Sequence, residues 1–327
     1  MEYRREIIRI LSDGQFHSGE ELGDTLQVSR TTIWKTMKQL SESGIDCHAV
    51  SGKGYRLPFA VDLLSDGEVL QSLSDGAKGL VRHLEVHFEI GSTNEYLMKK
   101  AHNDPSVSGY VCFAEQQSTG RGRRGRHWVS PFGGNIYVSV LWQFAMGPAA
   151  LTGLSLALGV AVVNSLNKIG IMDVGLKWPN DVIWREGKKL AGILLEMVGE
   201  ASGPCRVVAG LGLNVRMPDL YDSQIDQPWT DITSILEKPI SRNYLAGVLL
   251  QHIVLAMDKY GKEGLAGFLP EWKRLDILTG KRVVLHLPQN SVSGVAEGVD
   301  DMGALQIRLD NGELKKFTSG EISVRSL

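Results

Sequence analysis

Residues 120–128 read Gly120-Arg121-Gly122-Arg123-Arg124-Gly125-Arg126-His127-Trp128. Four guanidiniums are spread among three glycines. Glycine lets the backbone bend tightly, positive φ included, so several permanently charged forks can converge on one spot. The chemistry this serves is holding an anion, a phosphate or a carboxylate. No Asp or Glu occurs from Gln116 to Met172, so no local acid competes for the site. Alone, such a string would read as an RNA-binding or basic targeting tract. Its flanks argue for another reading: residues 109–114 and 135–142 are strand-like, which predicts a loop between two strands of a folded domain.

Four other stretches carry polar groups where chemistry could use them. Gly91-Ser92-Thr93-Asn94 ends a strand-like run (84–89) and opens an amphipathic helix; its side chains could bind a buried polar ligand or simply cap the helix. Lys177-Trp178-Pro179-Asn180-Asp181 lies inside a run, 175–184, that reads as one strand with a proline at an edge or bulge. Lys189 starts an apolar strand, 189–196, as either an exposed terminus or a buried cation pointing into a site. Residues 207–215 read as a buried strand with Gly210, Gly212 and a ligand-facing Asn214. The only G-x-G-x-x-G, at 120–125, leads into a strand and lacks a Walker lysine, which excludes Rossmann and P-loop nucleotide binding.

Around these residues, 327 positions with 43% hydrophobic and 22% charged residues suggest two or three ordinary globular domains. A net charge of -2 excludes a general nucleic-acid coat. The amino terminus has no apolar segment after its charges, so a cytoplasmic protein is expected. The apolar run 148–166 is interrupted by Thr152, Ser155 and Asn164 and reads as a buried helix, with no membrane involved. Cys47, Cys112 and Cys205 are scattered without ligand spacing, so no structural metal is expected.

The first sixty residues predict a helix at 3–12, a second opened by the capping box Ser18-Gly19-Glu20-Glu21, and a third from N-cap Ser29 to about Leu40. A hairpin at 47–57 follows, completing a winged helix-turn-helix. These residues hold eight bases and eight acids. The acids gather on the first two helices, leaving a cationic third helix and wing for a DNA groove. The DNA-contact candidates are Ser29, Arg30, Thr31, Thr32, Lys35 and Lys38, with Lys53 in the wing turn. At the other end, strands at 282–287, 292–299, 304–309 and 314–317 predict a small barrel. The expected fold is α+β: a winged helix-turn-helix at 1–64, a central mixed-sheet ligase-type domain at 65–275, and an SH3-like β-barrel at 276–327.

The five polar stretches, in this order and spacing, resemble the biotin protein ligases, and with the winged helix they resemble the bifunctional members that join a biotin operon repressor to a biotin-[acetyl-CoA-carboxylase] ligase. The resemblance spans the chain. It implies two-step acyl transfer, with biotin and MgATP giving biotinyl-5′-adenylate, which then modifies a lysine of the biotin carboxyl carrier protein. By similarity, Lys189 sits between the biotin carboxylate and the α-phosphate, and Arg123 retains the adenylate. Ser92, Thr93, Asn94, Gln117, Arg121, Gly122 and Gly192 join them around biotin. Arg124, Arg126, Trp128, Lys177, Asn180, Asp181 and Asn214 are the implied nucleotide contacts, with Asp181 near a Mg²⁺ that arrives on ATP. His127 stands where the family commonly has lysine. The implied partners are the carrier protein, operator DNA and, with adenylate bound, a second copy of the chain. Two other functions compete: a winged-helix repressor that senses its ligand without ligation, and a lipoate-type ligase.

Overall fold

A computed structural model of the chain describes residues 2–45, 47–104, 106–199, 203–287, 290–318 and 323–326. The first three helices are α1 (Glu2–Leu11), α2 (Gly19–Leu26) and α3 (Arg30–Glu42), followed by the hairpin β1 (His48–Val50) and β2 (Gly54–Arg56). Both expected helix starts form. Ser18 Oγ accepts from Glu21 N at 3.0 Å while Ser18 N donates to Glu21 Oε2 at 3.3 Å, and Ser29 Oγ accepts from Thr32 N at 3.2 Å. Ile7, Ile8, Leu11, Leu22, Ile33 and Leu40 are wholly buried between the helices. The wing is tied down by backbone bonds between His17 and Tyr55. Gly54 permits that approach, because a Cβ there would collide with the His17 carbonyl.

Two short helices, α4 (Asp66–Gln71) and α5 (Asp75–Lys78), lead to the central domain. Its elements are β3 (His83–His87), α6 (Thr93–Asn103), β4 (Tyr110–Ala114), β5 (Ile136–Phe144), α7 (Leu154–Lys168), β6 (Val174–Lys177), β7 (Asp181–Trp184), β8 (Lys188–Gly199), β9 (Cys205–Leu213), α8 (Ile232–Leu236), α9 (Arg242–Glu263) and α10 (Leu269–Leu275). The strands form one mixed sheet in the order β3-β4-β5-β9-β8-β7-β6, with only β3 and β4 parallel. Alternation along the strands divides the core. Cys112, Leu141 and Val208 meet Leu97 and Ala101 of α6, whereas Val111, Phe113, Val140 and Val207 face the α7–α9 side. The apolar segment 148–168 is long enough to cross a membrane, but 72% of its window is buried, which makes it a core helix.

One expectation needs correction. Residues 175–184 are not one strand but the hairpin β6–β7, closed where Lys177 faces Asp181. Pro179, which has no N–H to donate, sits in the turn after a cis Trp178–Pro179 peptide. At the other end β10 (Arg282–His286), β11 (Ser291–Val299), β12 (Leu305–Arg308), β13 (Leu314–Phe317) and β14 (Ser323–Ser326) form an antiparallel sheet in the order β13-β12-β11-β10-β14. Among the described residues β13 and β14 lie at the two ends of this order and are not paired with each other. This sheet docks on the centre through Trp178, whose Nε1 donates to Gly303 O at 3.0 Å.

Candidate active site

The arginine loop leaves the end of β4, whose extension still pairs with the segment before α6: Ser118 N donates to Ile90 O at 2.9 Å and Thr119 N to Gly91 O at 2.9 Å. The loop then folds on itself. Trp128 N donates to Gly120 O at 2.9 Å and Gly122 N to Arg126 O at 2.7 Å. The bend requires left-handed backbone at Arg124 (φ 58°) and Gly125 (φ 72°). A Cβ on Gly120 would lie 2.7 Å from the Trp128 carbonyl, which explains the glycine there.

This loop covers a cavity of about 710 Å³ on the α6 face of the sheet. All sixteen ligand-site candidates line it. Ser92, Thr93 and Asn94 come from the start of α6, Gln117 from the β4 extension, and Arg121, Gly122, Arg123, Arg124, Arg126 and Trp128 from the loop. Lys177, Asn180 and Asp181 come from the β6–β7 hairpin, Lys189 and Gly192 from β8, and Asn214 from the end of β9. Six Lys and Arg side chains line it against the acids Asp181, Glu186 and Asp226, so the wall favours an anion.

The polar floor is tightly ordered. Thr93 N and Oγ1 donate to Gln117 Oε1 at 2.9 and 3.1 Å. Ser92 caps α6 by accepting from Glu95 N at 3.4 Å, so it serves the helix as well as lining the cavity. Asn94 Nδ2 donates to Glu196 Oε2 at 2.8 Å, and its Oδ1 accepts from Ser139 Oγ at 2.6 Å. Ser139 and Glu196 escaped the sequence reading. The available signal was Ser139 interrupting the apolar run 136–142 and Glu196 interrupting the apolar run 190–198. Gly210 makes room for Asn94, because a Cβ there would strike the amide, and Gly212 does the same for the Trp128 indole. Residues 224–229, for which the sequence suggested no role, also line the cavity. They are held there by backbone bonds between Lys189 and its neighbours across the site, Lys189 N to Pro228 O at 2.9 Å and Thr230 N to Lys189 O at 3.0 Å.

At the charged end Lys189 resolves as a mostly buried cation, its side chain 15% exposed. Its Nζ lies 2.8 Å from Asp181 Oδ1 and 5.3 Å from the Trp128 ring centroid. Arg123 Nη1 donates to Asn180 Oδ1 at 3.3 Å, and Asn180 is fixed in turn by its Nδ2 donating to Ile193 O at 2.7 Å. Burial pushes the Arg123 guanidinium below its ordinary value, against the opposing pull of Asp181. Arg121, at the cavity rim with its side chain 44% exposed, lies 3.8 Å from Glu95. Trp128 Nε1 and Asn214 Oδ1 are buried without a hydrogen-bond partner among the described residues. Each such deficit costs about 1–3 kcal/mol, and a bound polar ligand would remove it. Among the described residues no group of three or more His, Cys, Asp or Glu is placed to hold a metal ion.

A second surface lies in the winged helix. Arg30, Thr31, Lys35 and Lys38 are exposed on α3, whereas the Ser29 and Thr32 hydroxyls meet at 2.9 Å and serve the helix start. Lys53 is exposed in the wing, its Nζ 5.8 Å from the Phe16 ring, and Arg56 stacks on the same ring at 4.8 Å. Phe16 and Arg56 were not among the sequence candidates.

Comparison with known proteins converges on this arrangement. Residues 4–56 match the HTH domain profile, 88–214 that of the Biotin/lipoate A/B protein ligase family, and 278–325 that of the Biotin protein ligase C terminal domain. The bifunctional ligase/repressor BirA of Escherichia coli is 38% identical over 321 residues, covering 98% of this chain and 97% of that protein. The chain belongs to the bifunctional ligase/repressor family. The family member of that name from Bacillus subtilis is 30% identical over 98% of both chains. The solved biotin protein ligase from Aquifex aeolicus in complex with biotin and ATP superposes on this family member with a TM-score of 0.63 and 28% identity. It covers 75% of this chain and all of that one.

Proposed function

We propose that the chain is an ATP-dependent biotin protein ligase that also represses transcription, using the intermediate of its own reaction as the signal. The observation that carries this is the cation pair Lys189 and Arg123, set beside Asp181 and Asn180 at one end of a cavity whose other end is an uncharged hydrogen-bonding floor. That polarity suits a molecule with a neutral polar head and a carboxylate tail. Thr93, Asn94 and Gln117, with Ser92, Arg121, Gly122 and Gly192, take the biotin head and chain. Lys189 and Arg123 take the carboxylate.

In the first step a biotin carboxylate oxygen attacks the α-phosphorus of ATP, a P–O bond forms, and pyrophosphate leaves. Carboxylate and triphosphate repel each other, and two cations in a partly dehydrated site offset that repulsion as charge builds. Arg124, Arg126, Lys177, Asn180 and Asn214 contact the nucleotide, and Trp128 packs against adenine. Magnesium would arrive as MgATP and offset phosphate charge, and Asp181, paired with Lys189, is the carboxylate that would meet it. In the second step the amine of a carrier-protein lysine attacks the adenylate carbonyl, AMP leaves, and an amide forms. Arg123 keeps the adenylate from escaping first.

The regulatory half uses the same species. The adenylate promotes a homodimer that presents two winged helices to operator DNA, with α3 in the major groove and Lys53 on the adjacent backbone. The domains are assigned as 1–64, 65–275 and 276–327, and the compartment as the cytoplasm. ATP–pyrophosphate exchange on the purified protein tests the reading. Exchange dependent on biotin and not lipoate is the expected result; no exchange despite tight biotin binding would leave a sensor-only repressor.

A further inference from the structure

The face that α3 offers to solvent is built around a side chain that has no reason to be in water. Trp34 is 56% exposed, the fifth residue of the helix. Arg30 and Thr31 lie one turn before it and Lys38 one turn after, all exposed, and the Lys38 ammonium rests 5.9 Å from the indole centroid. Glu42, in the last turn, is the only acid on α3. The indole is therefore the centre of a cationic surface, flanked on both sides by groups suited to phosphate or guanine.

We propose that Trp34 is a specificity-determining residue that reads a thymine methyl group in the major groove. This rests on the repressor reading above. The base edges there are hydrogen-bond donors and acceptors with one exception, the C5-methyl of thymine. An indole offers a broad apolar edge, a single donor and no acceptor, so its best partner in that groove is the methyl. The first residues of a recognition helix are those that reach base edges, and Trp34 lies among them. Placed against a methyl, the ring leaves water and loses no hydrogen bond.

The test uses the full-length protein with biotin and MgATP, so that adenylate forms in place, and a pool of random-sequence DNA duplexes. The enriched duplex is then resynthesised with deoxyuridine replacing each thymidine in turn, which deletes only the methyl. One replacement per half-site should weaken the wild type about fourfold, the worth of one buried methyl. Trp34→Ala should bind the parent duplex more weakly and be indifferent to that replacement, while Trp34→Phe should retain the sensitivity. Amide-exchange protection in α2 equal to the wild type shows that the winged helix of both variants is folded. A wild type insensitive to every replacement overturns the proposal, as does a Trp34→Ala variant with unchanged methyl sensitivity. A wild type that enriches no sequence overturns the repressor reading, and this inference with it.

Discussion

Lys189 sits at the start of β8 with an apolar strand behind it, and sequence alone left it balanced between a solvent-exposed end and a buried cation. The geometry decides the matter through its neighbours. Asp181 arrives from the β6–β7 hairpin to pair with it at 2.8 Å, and Trp128 arrives from the arginine loop to cover it. A cation so held is pre-positioned and partly dehydrated, which is the condition under which one charge contributes most to a developing anion. Lys189→Ala should lower biotin-dependent ATP–pyrophosphate exchange by about 10²–10³-fold, the usual loss for a group acting on transition-state charge. Biotin affinity, measured by calorimetry without ATP, should change far less, because the floor residues Thr93, Asn94 and Gln117 are untouched. Exchange within tenfold of the wild type would remove Lys189 from the reacting centre.

At the scale of elements, the winged helix carries its own pH dependence. His17 precedes α2 and lies 2.9 Å from Glu21 and 3.0 Å from Asp13. Burial opposes its charging, but the bonds to Glu21 and Asp13 prevail and raise its pKa above the ordinary 6.5. Stability from this group is therefore complete below about pH 6.5 and is lost as pH rises through the raised value. Asp13, held chiefly by the Gln15 amide, and Glu21, held by His17, are lowered from 3.8 and 4.5. Their contribution is present above those values and lost in acid. Amide exchange in α2, corrected for intrinsic rate, should be slower at about pH 5.5 than at about pH 8, and His17→Gln should remove the difference. Equal protection at both pH values in the wild type would show that the cluster does not couple to α2. The capping box beside it was legible in the sequence, since S-x-x-E before an apolar run states its own geometry. So was the arginine loop, because strands flank it and acids are absent. Partners distant along the chain were not legible. Glu196 is about a hundred residues from the Asn94 it orients, and nothing local marks it. The β6–β7 turn was missed because a proline in an apolar run looks the same at a strand edge as in a tight turn. Whether β13 meets β14 depends on sheet curvature, which alternation does not encode.

For the whole molecule, the question is what the winged helix contributes to the chemistry. Among the described residues, every one lining the cavity lies at or beyond Ser92. The connection between the two parts is nevertheless intimate. Arg4 pairs with Glu89 at 3.2 Å, Gln116 Nε2 donates to Ser43 O at 3.2 Å, and Phe132 and Val61 belong to the core of the winged helix. Just after it, Asp62 accepts from Arg242 N at 2.7 Å and from Asn243 Nδ2 at 2.8 Å, and Leu64 N donates to Glu115 Oε1 at 2.5 Å. Glu115 itself pairs with Arg242 at 2.8 Å, with both side chains buried. A cut after residue 60 keeps the bonds of Asp62, Leu64 and Glu115 and removes the Arg4–Glu89 pair, the Gln116–Ser43 bond and the cover of Phe132 and its neighbour Phe88. Uncovering a phenylalanine costs about 1.5–3 kcal/mol. The truncated chain should melt several degrees lower, about 2–4 °C for each kcal/mol lost in a domain of this size. Biotin-dependent exchange should stay within a few-fold of the full chain, and binding to the enriched duplex should disappear. A folded truncation without exchange would mean that the winged helix shapes the cavity through Gln116, whose neighbour Gln117 accepts from Thr93. Retained duplex binding would place the DNA surface in the ligase domain instead of on α3.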